Sequence, residues 1–318
     1  MISVRLQDGR VEVQDVPRPA RSPGFALIRL LCAGICNTDL ELQKGYYGFA
    51  GTPGHEFVGE VVETDNRDLA GRRVVGEINL DCGACDWCKR SLGRHCPDRR
   101  VLGIVNYPGA FREFLTLPER NLRVVPDAIP TEVAVFTEPL AAACEILEQA
   151  QIPCSSQVAV LGDGKLGLLI AQVLNVYGYQ VYQFGRHSEK LRISEKAGVR
   201  TEVARAEVPA AAYNWVVEAT GSAEGLRQAV RMVKPRGTVI LKSTLHGLVG
   251  VDTAPIIVNE ITLIGSRCGR FEPALDLLSR GLIEVQDMIS DRRKLADAPQ
   301  AFEQAARKGT MKVLLTAG

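Results

Sequence analysis

The sequence predicts an α/β fold in which a doubly wound parallel sheet is combined with a β-rich region. Residues 1 to about 135 contain short alternating or β-branched runs separated by Gly, Pro and Asp turns, which is typical of strands. From residue 156 onward, strands alternate with helical stretches, as in a parallel sheet covered on both faces. A glycine-rich turn, GDGKLG at 162–167, directly follows the first of these strands.

The individual elements follow from hydrophobic periodicity and turn residues. The β-rich region contains predicted strands at 25–31, 57–63, 73–76, 110–117 and 122–125. The second region contains predicted strands at 157–161, 180–184, 215–218, 238–241 and 261–265. Apolar spacing predicts helices over 166–177, 188–197, 272–279 and 299–308. A final strand at 312–315 is expected to rejoin the N-terminal region.

Length and composition are those of an ordinary globular chain with two domains. The 318 residues are 46% apolar and 24% charged. Lys and Arg total 38 against 37 Asp and Glu, and this balance provides no global field for nucleic acid or an anionic membrane. No apolar run approaches the roughly 18 residues of a membrane span, and the polar start is unlike a secretory signal. We therefore expect a cytoplasmic protein with no nucleic-acid or membrane partner.

Four of the nine cysteines form one short cluster: Cys82, Cys85, Cys88 and Cys96. An odd total without a signal peptide argues against a secreted disulfide framework. Four thiolates with no open position make a structural zinc site. The alternatives are an iron–sulfur cluster, a nucleic-acid-binding zinc module and free thiols. The spacing of the last cysteine argues against the cluster, and the balanced charge argues against the module.

The glycine turn has the composition and context of a dinucleotide-binding site. Gly162 permits the tight turn, Gly164 lets the backbone approach a pyrophosphate, and Gly167 allows the helix to pack closely on the strand. Lys165 and Leu166 lie at the start of that helix, where backbone amides and the helix dipole face the phosphates. The alternative is a glycine turn with a purely structural role.

The end of the second strand of this region bears on the choice between NAD and NADP. An NAD site usually has an acidic residue here, and Glu189 comes too late to be the obvious one. Arg186 instead offers a guanidinium suited to a 2′-phosphate, with His187, Ser188 and Lys190 close by. The sequence therefore favours NADP over NAD. The alternative is that Arg186 is a solvated turn residue.

A second set of metal-ligand residue types is dispersed along the chain. Cys36 and His55 lie nineteen residues apart in glycine-flanked segments, and Glu138 follows much later. One thiolate, one imidazole and a carboxylate are sufficient for an open, catalytic zinc. On the residues alone, ordinary core or surface roles for a single cysteine and a single histidine stay open as the alternative.

Taken in order, these motifs resemble the zinc-dependent medium-chain dehydrogenase/reductase family of alcohol, polyol and sugar dehydrogenases. The matching segments are 34–39, 54–56, the four-cysteine loop, 138–141, the glycine turn and 312–315. The resemblance implies a GroES-like catalytic domain over 1–135, a Rossmann domain over 136–270, and a C-terminal segment, 271–318, that completes the catalytic domain. It also implies an active site in the cleft between the domains.

The same resemblance implies roles for individual residues. Cys36 and His55 match catalytic zinc ligands. Glu138 matches the third ligand of the sorbitol- and glucose-dehydrogenase-like members, and Glu56 is a second candidate for that position. Thr38 matches the residue whose hydroxyl accepts the substrate proton.

Two further residues complete the expected site. Asp39 matches a carboxylate that orients the zinc-bound histidine, as such ligands generally require. Arg267, just past the last predicted strand of the second region, is a candidate phosphate contact, with a surface ion pair as the alternative.

The implied activity is reversible, NAD(P)-linked hydride transfer to and from a secondary alcohol, polyol or sugar. It would use one catalytic and one structural zinc, in a homodimer or homotetramer. Two other readings stay open: a zinc-free, quinone-reductase-like enzyme, and a non-catalytic nucleotide-binding protein on the same fold.

Overall fold

Runs of aliphatic and β-branched residues form the strands of this protein, whose computed structural model describes residues 1–204, 208–244 and 248–318. The strands are β1 (Ile2–Gln7), β2 (Arg10–Asp15), β3 (Phe25–Gly34), β4 (Glu56–Glu63), β5 (Arg73–Gly76), β6 (Asn79–Leu80), β7 (Arg100–Leu102), β8 (Asn106–Tyr107), β9 (Phe114–Pro118), β10 (Leu122–Val124), β11 (Gln157–Leu161), β12 (Gln180–Gly185), β13 (Arg200–Val203), β14 (Tyr213–Glu218), β15 (Val233–Leu241), β16 (Thr262–Gly265), β17 (Ile289–Lys294) and β18 (Lys312–Thr316).

The helices are mostly short and connect these strands. They are α1 (Asn37–Gln43), α2 (Asp86–Lys89), α3 (Thr131–Ala134), α4 (Thr137–Gln149), α5 (Lys165–Val176), α6 (Ser188–Lys196), α7 (Ala223–Met232), α8 (Ala254–Val258), α9 (Phe271–Ser279) and α10 (Ala298–Ala306). Within the described ranges, no helix is long and apolar enough to cross a membrane.

The chain divides into two units: Met1–Glu138 together with Ile289–Gly318, and Pro139–Met288. The second boundary lies after Met288, whereas the sequence placed it after residue 270. Contacts of the intervening segment explain the difference. The side chain of Gln172, in α5, exchanges two hydrogen bonds with the backbone of Glu284. Segment 271–288 therefore belongs to the second unit.

The first unit is built on a mixed sheet in the order β10-β5-β4-β3-β18-β17, with β9 also pairing with β3. Strand β3 is its centre, because it pairs with β4, β9 and β18 in antiparallel fashion. The C-terminal strand β18 thus rejoins the N-terminal region, as the sequence predicts. The hairpin β1-β2 and the three-stranded sheet β6-β7-β8 complete the described strands of this unit.

The second unit contains a six-stranded parallel sheet in the order β13-β12-β11-β14-β15-β16. This order, counted from its first strand, is the 3-2-1-4-5-6 arrangement of doubly wound dinucleotide-binding sheets. The central strand β11 is buried from Val158 to Leu161, as expected for a strand covered on both faces. In such sheets ligands bind beyond the carboxyl ends of the strands, where the order reverses. That point lies between β11 and β14.

Candidate active site

A buried carboxylate connects the two segments that carry Cys36 and His55. Cys36 directly precedes α1, and Asp39 in the first turn of α1 is fully buried. One oxygen of Asp39 accepts the backbone N–H of Cys36 at 2.8 Å, and the other accepts the backbone N–H of Gly54 at 3.1 Å. A single side chain therefore sets the spacing between the cysteine and the residue before the histidine.

The structure brings Cys36, His55 and Glu56 together. Their sulfur, imidazole nitrogen and carboxylate oxygen all lie within 4.8 Å of one another. Ligands of one tetrahedral zinc ion lie about 3.3–3.8 Å apart, given metal–ligand distances of about 2.0–2.3 Å. The donor set and its spacing therefore fit zinc. Glu138, half-buried in the first turn of α4, is not part of this group.

The surroundings of His55 are strongly negative. Its Nδ1 is buried 3.5 Å from the Asp39 carboxylate and has no hydrogen bond to the part of the chain that the structure describes. Burial alone would lower the pKa of His55, but Asp39 and the Cys36 sulfur raise it well above its usual value. With Nδ1 directed toward Asp39, Nε2 is the nitrogen available to a metal, which is the usual arrangement of a metal-binding histidine with a carboxylate partner.

Glu56 has a buried cationic partner that the sequence analysis did not identify. The ammonium of Lys312, on β18, forms an ion pair with Glu56 Oε2, and both side chains are 1% exposed. The Lys312 ammonium also lies 5.6 Å from the ring centre of Phe136. Burial tends to lower the pKa of Lys312, but Glu56 and Cys36 raise it above its usual value, so the ammonium keeps its proton. A Cβ at Gly34 would lie 2.7 Å from Glu56 Oε2, so this glycine leaves room for the pair.

Thr38 lies in α1 next to the proposed metal ligand Cys36. Its Oγ1 is 3.7 Å from the Cys36 sulfur, and the residue is half-buried. A hydroxyl in this position lies beside the metal-ligand group and can pass a proton from a neighbouring hydroxyl.

The four-cysteine loop forms a second cluster of sulfur atoms. Cys82, Cys85, Cys88 and Cys96 all have their sulfurs within 4.8 Å of one another. The separations are 3.9 Å for Cys82–Cys88, 3.4 Å for Cys85–Cys88 and 3.8 Å for Cys85–Cys96. Four sulfurs around one zinc lie about 3.8 Å apart, so the cluster has the size of a closed zinc site. Backbone N–H donors of Ala84 and Cys85 lower the pKa of Cys82 to about 7, which favours a thiolate.

The glycine turn has the shape that its sequence predicts. Gly162 adopts φ 123°, and a Cβ there would lie 2.4 Å from the carbonyl oxygen of Ala219. A Cβ at Gly167 would lie 2.4 Å from the carbonyl oxygen of Gly162. A Cβ at Gly164, by contrast, would meet no atom within 4 Å, although this residue directly precedes α5. Open space therefore faces the start of a twelve-residue helix, where a pyrophosphate would bind.

The loop after β12 is held by Asp163, the second residue of the glycine turn. Asp163 Oδ2 accepts the backbone N–H groups of Arg186 and His187 at 2.6 Å each and lies 2.9 Å from His187 Nδ1. Arg186 itself is exposed, and so is Ser188, while Lys190 is half-buried. The Arg186 guanidinium therefore faces solvent beyond the carboxyl end of β12, which fits a nucleotide contact. Asp163 is a positioning residue that the sequence analysis did not single out.

Arg267 follows the carboxyl end of β16, at the opposite side of the same sheet. Four strand spacings of about 4.8 Å separate β12 from β16, so Arg267 lies roughly 19 Å from the Arg186 loop. Its carbonyl oxygen accepts a hydrogen bond from buried Lys242. The structure therefore does not bring Arg267 together with Arg186.

Two known domain families match the chain. An alcohol dehydrogenase GroES-like domain matches residues 22–127, and a zinc-binding dehydrogenase domain matches residues 166–280. The first match contains strands β3, β4, β5, β9 and β10 of the mixed sheet, and the second contains the parallel strands β12 to β16. Together they define a zinc-dependent, nucleotide-linked oxidoreductase.

Individual relatives agree with this class over almost the whole chain. A zinc-binding dehydrogenase from Sinorhizobium meliloti, solved with NADP, is 31% identical, with a TM-score of 0.89 and coverage of 99% and 98% of the two chains. An alcohol dehydrogenase from Escherichia coli CFT073, solved with NADH, is 25% identical, with a TM-score of 0.88 and 99% coverage of each chain. D-arabitol-phosphate dehydrogenase from Enterococcus avium is 27% identical over 95% of this chain and 92% of its own.

The chain belongs to the zinc-dependent medium-chain dehydrogenase/reductase family. Its activity is that of an NAD(P)-linked alcohol or polyol dehydrogenase. The predicted fold class, a Rossmann sheet combined with a GroES-like domain, is confirmed.

The four-cysteine loop gives the first prediction. Replacing Cys88 by Ser removes one thiolate from the cluster, so we expect the zinc content to fall by one ion per chain and the melting temperature to fall. Structural zinc contributes directly to folding stability, so we expect a loss of several kcal/mol. Metal analysis and thermal unfolding measure both effects. Cys154→Ser, at an exposed free cysteine, is the matched control and should change neither.

The Lys312–Glu56 pair gives the second prediction. Lys312→Met leaves a buried carboxylate without its cation, and we expect the free energy of unfolding to fall by about 3–5 kcal/mol. Adding Glu56→Gln to the same chain should recover much of that loss, because the uncompensated charge is then gone. Chemical denaturation measures each variant. Lys308→Met, at an exposed lysine, is the control, and an equal loss in that control would contradict the role of the pair.

Proposed function

We propose that this chain catalyses the reversible, NADP-linked oxidation of a secondary hydroxyl in a polyol or sugar, with one catalytic and one structural zinc per chain. The observation that carries the proposal is the group of half-buried Cys36 with buried His55 and Glu56, in a chain that also contains a complete dinucleotide-binding turn. A zinc-free reductase or a nucleotide-binding protein without activity would have no use for this group of donors.

Cys36, His55 and Glu56 would hold the catalytic zinc, with one position left open for substrate. Zinc bound there supplies a Lewis acid that lets a hydroxyl ionise near neutral pH. Glu138, which is not part of the group of close donors, is the second candidate for the carboxylate ligand. The structural zinc would be held by Cys82, Cys85, Cys88 and Cys96.

The remaining side chains orient the reactants and handle the proton. Asp39 fixes the backbone of Cys36 and Gly54 and faces His55 Nδ1, so it sets the positions of two ligands at once. Thr38 Oγ1 accepts the proton of the substrate hydroxyl and passes it outward. A nicotinamide held at the glycine turn would accept the hydride, so loss of one proton and one hydride would turn the alcohol into a carbonyl.

The cofactor preference is proposed from the loop after β12. The exposed Arg186 guanidinium, with His187, Ser188 and Lys190 beside it, suits the extra charge of a 2′-phosphate. One relative has been solved with NADP and another with NADH, so the relatives do not decide the cofactor preference. The proposal of NADP therefore rests on the residues of this loop. The pyrophosphate would lie at the start of α5, against Gly164, Lys165 and Leu166. Arg267 is proposed only as a more distant phosphate contact.

Two broader features belong to the same proposal. We expect a small-molecule alcohol, polyol or sugar as substrate, and a homodimer or homotetramer as the working assembly. We also expect a cytoplasmic location, because nine free thiols fit a reducing compartment.

The catalytic zinc gives a direct test of the proposed activity. Cys36→Ser should reduce kcat by roughly a thousandfold, because Lewis-acid stabilisation contributes several kcal/mol to the reaction. Zinc content should fall by one ion per chain, while NADPH fluorescence and thermal unfolding stay close to those of the parent protein. Normal turnover in this variant would refute the proposal. Cys154→Ser again serves as the control.

The Arg186 loop gives a test of cofactor choice. Arg186→Ala removes a charge-assisted contact, so we expect KM for NADP to rise about tenfold to a hundredfold, while KM for NAD changes little. Steady-state kinetics with each cofactor measure the two KM values. Arg192→Ala, at an exposed arginine of the following helix α6, should leave both values unchanged. A wild-type enzyme that strongly prefers NAD would overturn this part of the proposal.

A further inference from the structure

A cavity of about 730 Å³ lies within the first unit. One wall is formed by residues 47–52 and another by residues 104–108. Its lining is mainly apolar and aromatic, with Tyr47, Phe49 and Tyr107 among its members. Of the described residues that line it, Arg99 is the only one with a charged side chain. The size is that of a small-molecule site.

The cavity borders the segment that leads into His55. Its first wall ends at Thr52, three residues before that histidine. Glycines on either side of the second wall pack against the intervening backbone: a Cβ at Gly103 would lie 2.4 Å from the Gly54 oxygen, and one at Gly109 would lie 2.2 Å from the Pro53 oxygen. The backbone just before His55 therefore packs against the glycines that flank the second wall.

Two arginines at this cavity have no anionic partner among the described residues. Arg99 Nη1 donates to the carbonyl oxygen of Cys96 at 3.1 Å, but its buried Nε makes no hydrogen bond within the described chain. Arg112 is 8% exposed, and its Nε is likewise buried without a partner. Burial lowers the pKa of Arg112 to about 10, with no carboxylate opposing the shift. A buried guanidinium without a counter-ion is costly, so the site favours an anion.

The position of Arg112 connects it to the cavity. It forms an antiparallel bridge with Ser3, and residues paired in this way project to the same side. The Ser3 hydroxyl lies 3.1 Å from Oγ1 of Thr52, which lines the cavity. Tyr107, also a lining residue, interacts electrostatically with Arg112. Arg112 is therefore linked to the lining residues through Ser3 and Tyr107, without lining the cavity itself.

A third guanidinium strengthens the positive character of this wall. Arg100 lies over the ring of Tyr107, 5.1 Å from its centre. The Tyr107 hydroxyl donates to the carbonyl oxygen of Thr116, so it does not neutralise these charges. The described lining thus contains one arginine, Arg99, and no carboxylate, and two further arginines, Arg100 and Arg112, interact with its member Tyr107.

We propose that this cavity binds the anionic end group of a polyol or sugar substrate, a phosphate monoester or a carboxylate, with Arg99 as its direct contact and Arg112 as the supporting charge. Guanidinium groups match both oxyanions through charge-assisted, bidentate hydrogen bonds. The inference deepens the proposed function and rests on it, since it defines the class of substrate that the dehydrogenase oxidises.

The test compares neutral and anionic substrates with the zinc-loaded, full-length protein and saturating NADP. Pentitols and hexitols, their terminal phosphates and the matching aldonates are assayed by absorbance of the reduced cofactor. We expect kcat/KM to be at least about tenfold higher for one anionic series than for the neutral series. Arg99→Gln should remove that advantage through KM, with kcat nearly unchanged. Arg67→Gln, at an exposed arginine of the same unit, is the control and should leave both series unchanged.

The phosphate and aldonate arms identify which oxyanion is recognised, and equal kcat/KM for neutral and anionic substrates would overturn the inference. Calorimetric titration of the same panel measures binding without turnover, so it tests the anion site separately from the proposed activity. If no compound is oxidised but an anionic polyol binds and Arg99→Gln weakens that binding, the anion site stands and the activity fails. If neutral polyols are oxidised and Arg99→Gln affects nothing, the activity stands and the anion site fails.

Arg112 provides an independent measurement. Arg112→Met removes an unpaired buried charge, so the variant should fold at least as well as the parent protein in the absence of ligand. The rise in melting temperature on adding the favoured anionic polyol should be smaller in this variant than in the parent. An equal rise in both proteins would contradict the supporting role of Arg112.

Discussion

The charges around the centre formed by Cys36, His55 and Glu56 must balance, because most of the charged groups there are buried. Asp39 and Glu56 are buried carboxylates, and Cys36 adds a third negative charge when it binds metal as a thiolate. Lys312 contributes one positive charge, which leaves an excess of two negative charges. A divalent cation balances that excess. The same excess explains why the pKa values of His55 and Lys312 are raised although both residues are buried.

Five of the six strands of the parallel sheet could be predicted from sequence, because their local signals agree with the global fold. The predicted strand at 157–161 coincides with β11, and the glycine turn adopts the geometry that each of its glycines allows.

Other elements were predicted less well. The predicted strand at 110–117 is observed only as β9, from Phe114 to Pro118. Helices α1, α4 and α7 have no counterpart among the predicted elements. In α4, Pro139 follows Glu138 and suggests a loop, yet proline is tolerated in the first turn of a helix.

The metal-ligand group was less predictable because it depends on pairs that are distant in sequence. Glu56 and Lys312 are separated by most of the chain, and no local pattern relates them. A lysine within an apolar strand segment normally indicates an exposed edge, whereas Lys312 is buried against Glu56 and Phe136. The sequence likewise pointed to Glu138 as the carboxylate ligand, with Glu56 as a second candidate. Only the pairing of β4 with β3, and of β3 with β18, places Glu56 beside both Cys36 and Lys312.

The four-cysteine loop bears on substrate recognition as well as on stability. Arg99 follows Cys96 by three residues, and its guanidinium is fixed by the Cys96 carbonyl oxygen at 3.1 Å. A metal held by the Cys96 sulfur immobilises that carbonyl, so it also fixes the position of the arginine in the cavity wall. Preorganised donors bind an oxyanion more tightly than mobile ones, because less side-chain entropy is lost on binding. A structural zinc would therefore stabilise the loop and, through Cys96, hold the charge that selects the substrate.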